Sequence, residues 1–338
     1  MAVTDIRDED RKLSIAPMMD WTDRFDRYFL RLISKRVLLY TEMVTTGAVI
    51  HGDRQKLLGF HEAEHPVACQ LGGSDPAELK QAARIVEDFG YGEVNLNVGC
   101  PSDRVQSGRF GACLMADPQL VADCVAAMRD TVSIPVTVKH RIGIDDQDSY
   151  EGMKAFVDTV ADAGCRHFIV HARVAILQGL SPKENRDIPP LKYDFAYRLK
   201  QERPDLHISI NGGIKTLDET EGHLDKLDGV MIGRAAYQTP YILAEADRRI
   251  YGDTTGTSKS RHDILRAFLP YVRKELAAGT PLNHITRHLM GIFSGCPSGA
   301  KFRRYLSENA YHKGADESVI EQAMALVPED SLDVSETA

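Results

Sequence analysis

The sequence predicts an α/β fold, a (β/α)8 TIM barrel followed by a small all-helical carboxyl-terminal domain. Short runs of β-forming residues alternate with helical segments, and eight such runs occur within about 240 residues. The unusual polar residues stand at the carboxyl ends of these runs, where barrels of this kind carry their functional groups. After a segment rich in Gly, Ser and Thr at 251–260, the pattern becomes purely helical.

The eight predicted strands are apolar or β-branched over most of their length and cover 13–18, 38–43, 67–73, 93–99, 135–142, 167–174, 207–214 and 229–234. The helical segments between and after them cover 22–35, 76–90, 117–131, 148–163, 193–202, 216–226 and 237–249, with a weak helix near 46–60. A doubly wound open sheet is the structural alternative. It is disfavoured because no GxGxxG turn follows the first strand.

The carboxyl-terminal part predicts a separate helical domain. Apolar residues recur with a helical period over 264–276, and further helices are expected near 282–293, 299–311 and 317–326. We therefore divide the chain into a barrel domain (1–250), a helical domain (258–327) and a disordered acidic tail (328–338).

Composition narrows the class of protein. The chain has 338 residues, and its hydrophobic fraction of 43% is ordinary for a globular protein. No apolar stretch reaches the roughly 18 residues of a membrane span, and the charged amino terminus is unlike a signal peptide. The six cysteines lack CxxC spacing. We therefore expect a cytoplasmic protein with reduced thiols, no metal, no membrane association and no obligatory protein partner.

Charge is distributed unevenly along the chain. The net charge is −8, yet residues 258–314 carry ten basic and three acidic groups, whereas residues 315–338 carry seven acidic groups and no basic one. A basic segment inside an acidic chain indicates a site for a polyanion, and the alternative is a solvated helical surface. Helix 22–35 also carries basic residues on one face, at Arg24, Arg27, Arg31 and Lys35. There a solvated face is the preferred interpretation.

A cysteine stands where the fourth strand ends. The segment NLNVGCPSDRVQSGRFGACLM (95–115) places Cys100 after an apolar run, at the start of a long polar loop. A packing cysteine would lie inside the apolar run, so either Cys100 is incidental or the loop exists to present this thiol. Cys113 is the rival on the same loop, but it begins an apolar run and is interpreted as packing. The second GCPS, at Cys296, follows no strand and is interpreted as a loop residue.

The last two strand ends predict a phosphate site. NGGI after the seventh strand and IGRA after the eighth are short glycine turns that lead into helices. Glycine exposes backbone N–H groups that bind phosphate, and barrels of this kind usually have their phosphate site there. Arg234 can add a charge-assisted hydrogen bond, and the alternative is a pair of tight turns with a satisfied arginine. Gln70, Lys139 and His171 end three other strands and point to the same rim.

Several motifs together resemble one enzyme family. APMMDWTDRFDRYFLR, YTEMVTTGA, the Cys100 segment, KHRIGID, HAR, INGGI, GVMIGRAAY and RRYLSENA are similar to segments of the tRNA-dihydrouridine synthases, specifically the A-type bacterial subfamily. The resemblance covers about residues 12–312. It implies an FMN-containing barrel that uses NADPH to reduce uridine in tRNA, with D-loop positions 20 and 20a as the expected sites.

The resemblance also implies roles for individual residues. Cys100 matches the proton donor, and a thiol with an ordinary pKa near 8.5 is largely protonated at neutral pH. The flavin contacts would be Pro17, Met18, Met19, Gln70, Lys139, His171, Asn211, Gly212, Gly213, Gly233 and Arg234. The substrate or tRNA contacts would be Asn97, Arg141, Lys183, Arg186, Lys301, Arg303 and Arg304.

Two other functions stay open at this point. An FMN barrel reductase acting on a small free substrate would explain the polar rim but not the basic helical segment. A non-catalytic RNA-binding protein would explain the basic segment but not the combination of Cys100, Lys139, His171 and Arg234.

Overall fold

A parallel β-sheet of eight strands organises the computed structural model, which describes residues 6–102, 105–106, 108–255 and 258–329. The strands are β1 (Leu13–Ile15), β2 (Leu39–Thr45), β3 (Val67–Gly72), β4 (Val94–Val98), β5 (Val136–Arg141), β6 (His167–His171), β7 (His207–Asn211) and β8 (Gly229–Ile232). Each strand from β2 to β8 pairs with the next, and β8 pairs with β1. Hydrogen bonds from Ile15 N to Leu38 O (2.9 Å) and from Leu38 N to Leu13 O (3.0 Å) complete the ring. The predicted barrel is confirmed.

Helices connect the strands and continue beyond them. They are α1 (Arg24–Ile33), α2 (Thr46–His51), α3 (Arg54–Leu58), α4 (Pro76–Asp88), α5 (Pro118–Arg129), α6 (Tyr150–Asp162), α7 (Tyr193–Glu202), α8 (Leu217–Leu224), α9 (Arg234–Gln238), α10 (Ala246–Tyr251), α11 (Arg261–Ala277), α12 (Leu282–Thr286), α13 (Gly299–Asn309) and α14 (Ser318–Met324). Local sequence explains several of their starts. Asp75, for example, accepts hydrogen bonds from the N–H groups of Ala77 and Glu78 (both 2.9 Å), and Pro76 is tolerated at the first helical position.

Three predicted helices are interrupted. The weak helix at 46–60 is the pair α2 and α3, and Asp53 caps the second of them. The helix predicted at 237–249 is broken because Pro240 lacks an N–H donor and begins a separate 3-10 turn. The one predicted at 282–293 ends as α12 and continues only as a short 3-10 turn at Arg287–Leu289. Most of the predicted acidic tail, from residue 330 on, lies outside the described residues.

By packing, the chain divides into two compact units. Of the described residues, the barrel unit contains those up to 24 together with those in 36–233, and the helical unit contains 25–35 and those from 234 to 329. In the helical unit, the rings of Tyr28 and Tyr271 stack at 3.9 Å between centroids, and those of Phe29 and Phe268 lie 5.4 Å apart. Most of α1 is therefore packed on α11. The predicted domain boundary at 250–258 follows composition, whereas this division follows packing.

The basic face predicted for helix 22–35 is not a solvated face. Arg27 and Arg31 are buried, and the Arg31 guanidinium donates to the carbonyl of Ser34 at 3.0 Å. Asp26 is buried on the same helix. The spacing of the arginines was identified correctly, but helical spacing alone does not reveal which face a neighbouring helix covers.

Strand alternation divides the side chains of the barrel into two sets. On β4, Val94, Leu96 and Val98 alternate with Asn95 and Asn97, and all five are buried. On β5, His140 packs against Phe156 of α6 and therefore points outward. Its neighbours in the strand, Lys139 and Arg141, must point inward. The interior of the barrel thus receives polar residues that reach towards its carboxyl end.

Candidate active site at the carboxyl end of the barrel

Five of the predicted site residues meet at the carboxyl ends of β3 to β7. The parallel register pairs Asn97 with Lys139, and His171 with Asn211, on adjacent strands. Gln70 donates and accepts hydrogen bonds among the inward side chains of β3 and β4. Lys139 is half-buried and the other four are buried. The structure therefore brings Gln70, Asn97, Lys139, His171 and Asn211 to one end of one barrel.

Cys100 is held at the base of its loop from both sides. The side-chain oxygen of Asn97 accepts hydrogen bonds from the N–H groups of Gly99 (3.1 Å) and Cys100 (3.0 Å). The Cys100 carbonyl accepts from Ala112 N at 2.9 Å. Gly111 has φ +75°, and a Cβ there would lie 2.6 Å from the same carbonyl oxygen, so the position requires glycine. The half-buried thiol lies 3.5 Å from the Ser102 hydroxyl.

The two rival cysteines have different surroundings. Cys113 lies in the 3-10 turn Gly111–Ala116, where its thiol donates to the carbonyl of Phe110 at 3.1 Å and burial raises its pKa. Cys296 belongs to the helical unit, with its sulfur 3.9 Å from the carbonyl of Ser294. Of these three thiols, Cys100 alone follows a barrel strand directly.

Lys139 and His171 have strongly shifted acidities. Burial, reinforced by the Arg141 cation, lowers the pKa of Lys139 to about 7. Burial, followed by the repulsion from Arg141 and Lys139, lowers the pKa of His171 well below its ordinary value. At neutral pH the imidazole is therefore neutral, and Lys139 can gain a full charge when an anion approaches it.

Arg141, predicted as a substrate contact, is buried. Its guanidinium donates to the carbonyls of Gly99 (3.2 Å), Val174 (3.2 Å) and Asn185 (3.0 Å). It thereby joins the end of β4 to the start and the middle of a second long loop, residues 174–192 between β6 and α7. Burial lowers its pKa to about 9. Direct contact with a substrate stays a prediction for this residue.

Sequence reasoning missed two residues that organise the long loops. The Gln106 amide donates to the carbonyls of Pro101 and Leu177, both at 2.8 Å, and so connects the Cys100 loop to the second loop. The buried Asn185 side chain exchanges hydrogen bonds with the backbone of Ile176, at 2.8 and 2.9 Å. The sequence shows that both residues are polar and lie in loops, but their hydrogen-bond partners depend on tertiary structure.

The second loop carries two predicted tRNA contacts, Lys183 and Arg186. Lys183 immediately precedes the short 3-10 turn Glu184–Arg186, and Arg186 ends it. Both side chains are exposed, whereas Asn185 between them is buried. The loop thus presents basic groups outward on an anchored backbone.

The glycine turn after β7 approaches His171 closely. Gly212 has φ +116°, and a Cβ there would lie 2.7 Å from a ring carbon of His171. Gly213 follows with φ +77°. The Asn211 amide donates to the carbonyl of Met231 on β8 at 2.7 Å. This cradle requires two glycines and fits the predicted contact with a phosphorylated cofactor.

The ends of β1 and β8 are adjacent. The sulfur of Met18 would lie 3.9 Å from a Cβ at Gly233, and Met18 N donates to the Thr22 hydroxyl at 2.9 Å. Pro17 precedes Met18 and is partly buried, and Met19 is 53% exposed. Arg234 follows Gly233 as the first residue of α9 and is grouped with the helical unit.

The predicted basic cluster lies on α13 of the helical unit. Lys301, Arg303 and Arg304 are exposed, while Phe302 and Leu306 on the same helix are buried. Arg304 forms an ion pair with Glu308 at 2.6 Å. Helix α13 therefore presents its three cations to solvent.

Among the described residues, Asp8, His167 and His207 form a group whose geometry could hold a metal ion. His167 and His207 begin β6 and β7, at the end of the barrel opposite Cys100. The His167 ring nitrogen and the Asp8 carboxylate lie 2.9 Å apart, a hydrogen bond that accounts for the arrangement without a metal. Arg11 also lies 4.0 Å from Asp8, and its positive charge disfavours a cation there.

Within the described part of the chain, no helix combines the length and apolar character needed to span a bilayer.

Comparisons with known proteins agree on one family. The family model described as "Dihydrouridine synthase (Dus)" matches residues 14–327. The tRNA-dihydrouridine(20/20a) synthase of Escherichia coli K12 is 61% identical over 317 residues, which is 94% of this chain and 91% of that protein. The protein of the same name from Vibrio cholerae is 57% identical over 324 residues, covering 96% of this chain and 98% of that protein.

Solved structures support the barrel fold. An old yellow enzyme homologue from Zymomonas mobilis has a TM-score of 0.50 at 12% identity and covers 75% of this chain and 91% of its own. A 2-naphthoyl-CoA reductase has a TM-score of 0.52 at 11% identity and covers 70% of this chain and 49% of its own. At such low identity the likeness concerns the fold alone.

Proposed function

Because this chain belongs to the dihydrouridine synthase family, we propose that it reduces uridine to 5,6-dihydrouridine in the D-loop of tRNA. Relatives that match nearly the whole chain are named tRNA-dihydrouridine(20/20a) synthase, which supports positions 20 and 20a as the target. The proposed partner is tRNA, with no obligatory protein partner, and a tRNA substrate agrees with the cytoplasmic location expected from the sequence.

Family membership implies a flavin cofactor, and we propose FMN with NADPH as the reductant. The residues at the carboxyl end of the barrel fit such a group. The Gly212–Gly213 turn forms a cradle that a Cβ would fill, and Lys139 gains charge beside an anion. Gln70 and His171 offer buried polar groups on the same rim. Pro17, Met18, Met19, Asn211, Gly233 and Arg234 complete the proposed contacts.

In the proposed reaction, Cys100 supplies the proton that uracil C5 receives. When bound and reduced, the flavin supplies the hydride that uracil C6 receives. Together these additions saturate the C5–C6 bond, and the Cys100 thiolate then regains a proton from solvent. Asn97 holds the two N–H groups at the base of the Cys100 loop and stays the proposed contact to the uracil ring.

The observation that carries this proposal is the position of Cys100, immediately after β4 and fixed by Asn97 on the strand itself. A thiol at the same end of the barrel as Lys139 and His171 suits general-acid chemistry there. Substrate binding is assigned to Lys183 and Arg186 in the second loop and to Lys301, Arg303 and Arg304 on α13. Arg141 stays a proposed substrate contact, and its three hydrogen bonds to backbone carbonyls hold its guanidinium in place.

The test is to map dihydrouridine in tRNA from cells that lack the gene for this chain. We expect the modification to disappear at positions 20 and 20a, to return with the wild-type gene and not to return with Cys100→Ala. Dihydrouridine that persists at both positions would overturn the assignment. The purified protein should also be yellow and should oxidise NADPH faster when unmodified tRNA is added.

The exposed cations of α13 favour tRNA over a small free substrate. Comparing unmodified tRNA with uridine and UMP as oxidants of the reduced protein separates these alternatives. Equal rates with all three would support the small-substrate reductase. A colourless protein that binds tRNA would instead support a non-catalytic RNA-binding function.

A further inference from the structure

A continuous line of buried hydrogen bonds runs through the barrel interior from the Cys100 loop to the opposite end. At the upper end, the Asn97 amide donates to the Gln70 side-chain oxygen at 2.8 Å. The Gln70 amide donates to the Asn95 oxygen at 2.8 Å. All three side chains are at least nine-tenths buried.

The line continues below Asn95 and ends on a charge. The Asn95 amide donates to the Thr137 hydroxyl at 2.8 Å, and that hydroxyl donates to the Glu93 carboxylate at 2.6 Å. Arg11 forms an ion pair with Glu93. Although burial alone would raise the pKa of Glu93, Arg11 and the hydrogen bonds lower it below its ordinary value, so the carboxylate is ionised.

All hydrogen bonds in this line run in the same direction, with the donor on the side of Cys100 and the acceptor on the side of Glu93. Backbone N–H groups of Gly99 and Cys100 can only donate, and an ionised carboxylate can only accept. Between these two ends, each side chain accepts a hydrogen bond from the neighbour nearer Cys100 and donates one to the neighbour nearer Glu93. Turning one amide by 180° would oppose two N–H groups or two oxygens, so the two ends allow one arrangement only.

We infer that Asn95, Thr137 and Glu93 are positioning residues that fix the amide orientations of Gln70 and Asn97. Neither Asn95 nor Thr137 reaches the Cys100 loop, and both act through their neighbours. With one N–H of each amide used within the line, Gln70 and Asn97 each keep a second N–H for a ligand. Asn97 also keeps its oxygen on the backbone of Cys100. This inference rests on the proposed function for its catalytic consequence but not for its structural content.

The barrel offers a closely matched pair of hydroxyl deletions. Tyr40 and Thr137 both donate to the same oxygen of Glu93, both at 2.6 Å, and both are buried. Thr137 alone also accepts from Asn95 and so carries the line. Thr137→Val therefore cuts the line, Thr137→Ser keeps it, and Tyr40→Phe removes an equivalent bond beside it.

The first measurement is hydrogen exchange of the side-chain amides in purified protein labelled with ¹⁵N at Asn and Gln. In the wild type, the amides of Gln70, Asn95 and Asn97 should exchange far more slowly than that of exposed Asn283. Thr137→Val should accelerate all three, whereas Thr137→Ser and Tyr40→Phe should not. Exchange in the wild type as fast as at Asn283 would overturn the inference without any variant.

The second measurement is single-turnover reduction of unmodified tRNA. Thr137→Val should lower the maximal rate roughly 10- to 100-fold, the scale of a misplaced reacting group, with little change in the tRNA concentration for half-maximal rate. Thr137→Ser should recover most of the rate, and Tyr40→Phe should stay near the wild type. Equal losses in Thr137→Val and Tyr40→Phe would contradict the inference. If the exchange pattern holds but no dihydrouridine forms in any variant, the proposed function fails and the orientation of the amides stands.

Discussion

Cys100 and Cys113 lie on the loop after β4, and different hydrogen bonds hold them. Cys100 is fixed through its backbone, while the Cys113 thiol donates to the carbonyl of Phe110. We predict that Cys100→Ala keeps flavin content and tRNA affinity but lowers turnover about 10²- to 10⁴-fold, the usual contribution of a general acid. Cys113→Ala should stay near the wild type. The measurement is dihydrouridine formed per minute at saturating tRNA, and the reverse pattern would assign the proton to Cys113.

Lys139 is predicted to retain the cofactor by charge. Charge-assisted hydrogen bonds contribute roughly 1.5–3 kcal/mol, so Lys139→Ala should weaken flavin binding about 10- to 100-fold. The flavin-to-protein ratio after gel filtration measures this loss. Lys80→Ala, on the exposed face of α4, is the control and should keep full occupancy. Full occupancy in Lys139→Ala would remove this residue from the flavin site.

At the scale of single residues, the sequence predicted positions better than partners. The positions of Cys100, Lys139 and His171 at the carboxyl end of the barrel could be predicted, because a predicted strand ends near each of them, whereas their roles stay predictions. The bonds of Arg141 could not be found, since its three carbonyl acceptors come from segments far apart in the chain. The sequence predicts only that Asn95 and Thr137 lie in strands. Alternation shows which face of the sheet a side chain occupies, but not which hydrogen bonds it forms.

The second long loop is an element whose order depends on one buried side chain. Asn185→Ala would leave the N–H and carbonyl of Ile176 without their side-chain partner, and each lost hydrogen bond costs about 0.5–1.5 kcal/mol. We predict faster backbone hydrogen exchange across 176–188 together with weaker tRNA binding. Lys183→Ala should weaken tRNA binding without changing exchange, because that side chain is exposed. Unchanged exchange in Asn185→Ala would show that other contacts hold the loop.

Among the elements, the eight strands could be predicted from runs of β-forming residues, and the helices from apolar residues at helical spacing. Helix interruptions were harder to predict. Pro240 was visible, but the apolar period on either side of it suggested one continuous helix. The packing of α1 on α11 could not be predicted, because an amphipathic helix shows that it has a buried face without identifying the neighbour that covers it.

For the whole molecule, buried histidines make stability depend on pH. Burial lowers the pKa of both His140 and His207 to about 4, whereas a solvent-exposed histidine has a pKa of about 6.5. The folded state therefore binds fewer protons than the unfolded state between these values, and the free energy of unfolding falls as pH drops below 6.5. Each group contributes a slope of up to about 1.4 kcal/mol per pH unit.

Urea unfolding between pH 6.5 and 5.5 tests this, since carboxylates with ordinary pKa values of about 4 titrate mostly below that window. His140→Gln should reduce the slope by roughly one histidine's share and should cost stability equally at pH 7 and pH 8. A slope identical to that of the wild type would mean that His140 is protonated in the folded state.

The uneven charge of the chain leads to a prediction about tRNA binding. Phosphate contacts release counterions, so each lost contact reduces the slope of log affinity against log salt by about 0.7–0.9. On α13, Arg304 already forms an ion pair with Glu308, and a phosphate must compete with that carboxylate. Lys301→Ala/Arg303→Ala should therefore lower affinity and flatten the slope more than Arg304→Ala. Flavin content should be unchanged in both variants. Binding titrations at several salt concentrations measure both the affinity and the slope. If the plots for the variants coincide with that for the wild type, these cations serve only to keep the helix surface soluble.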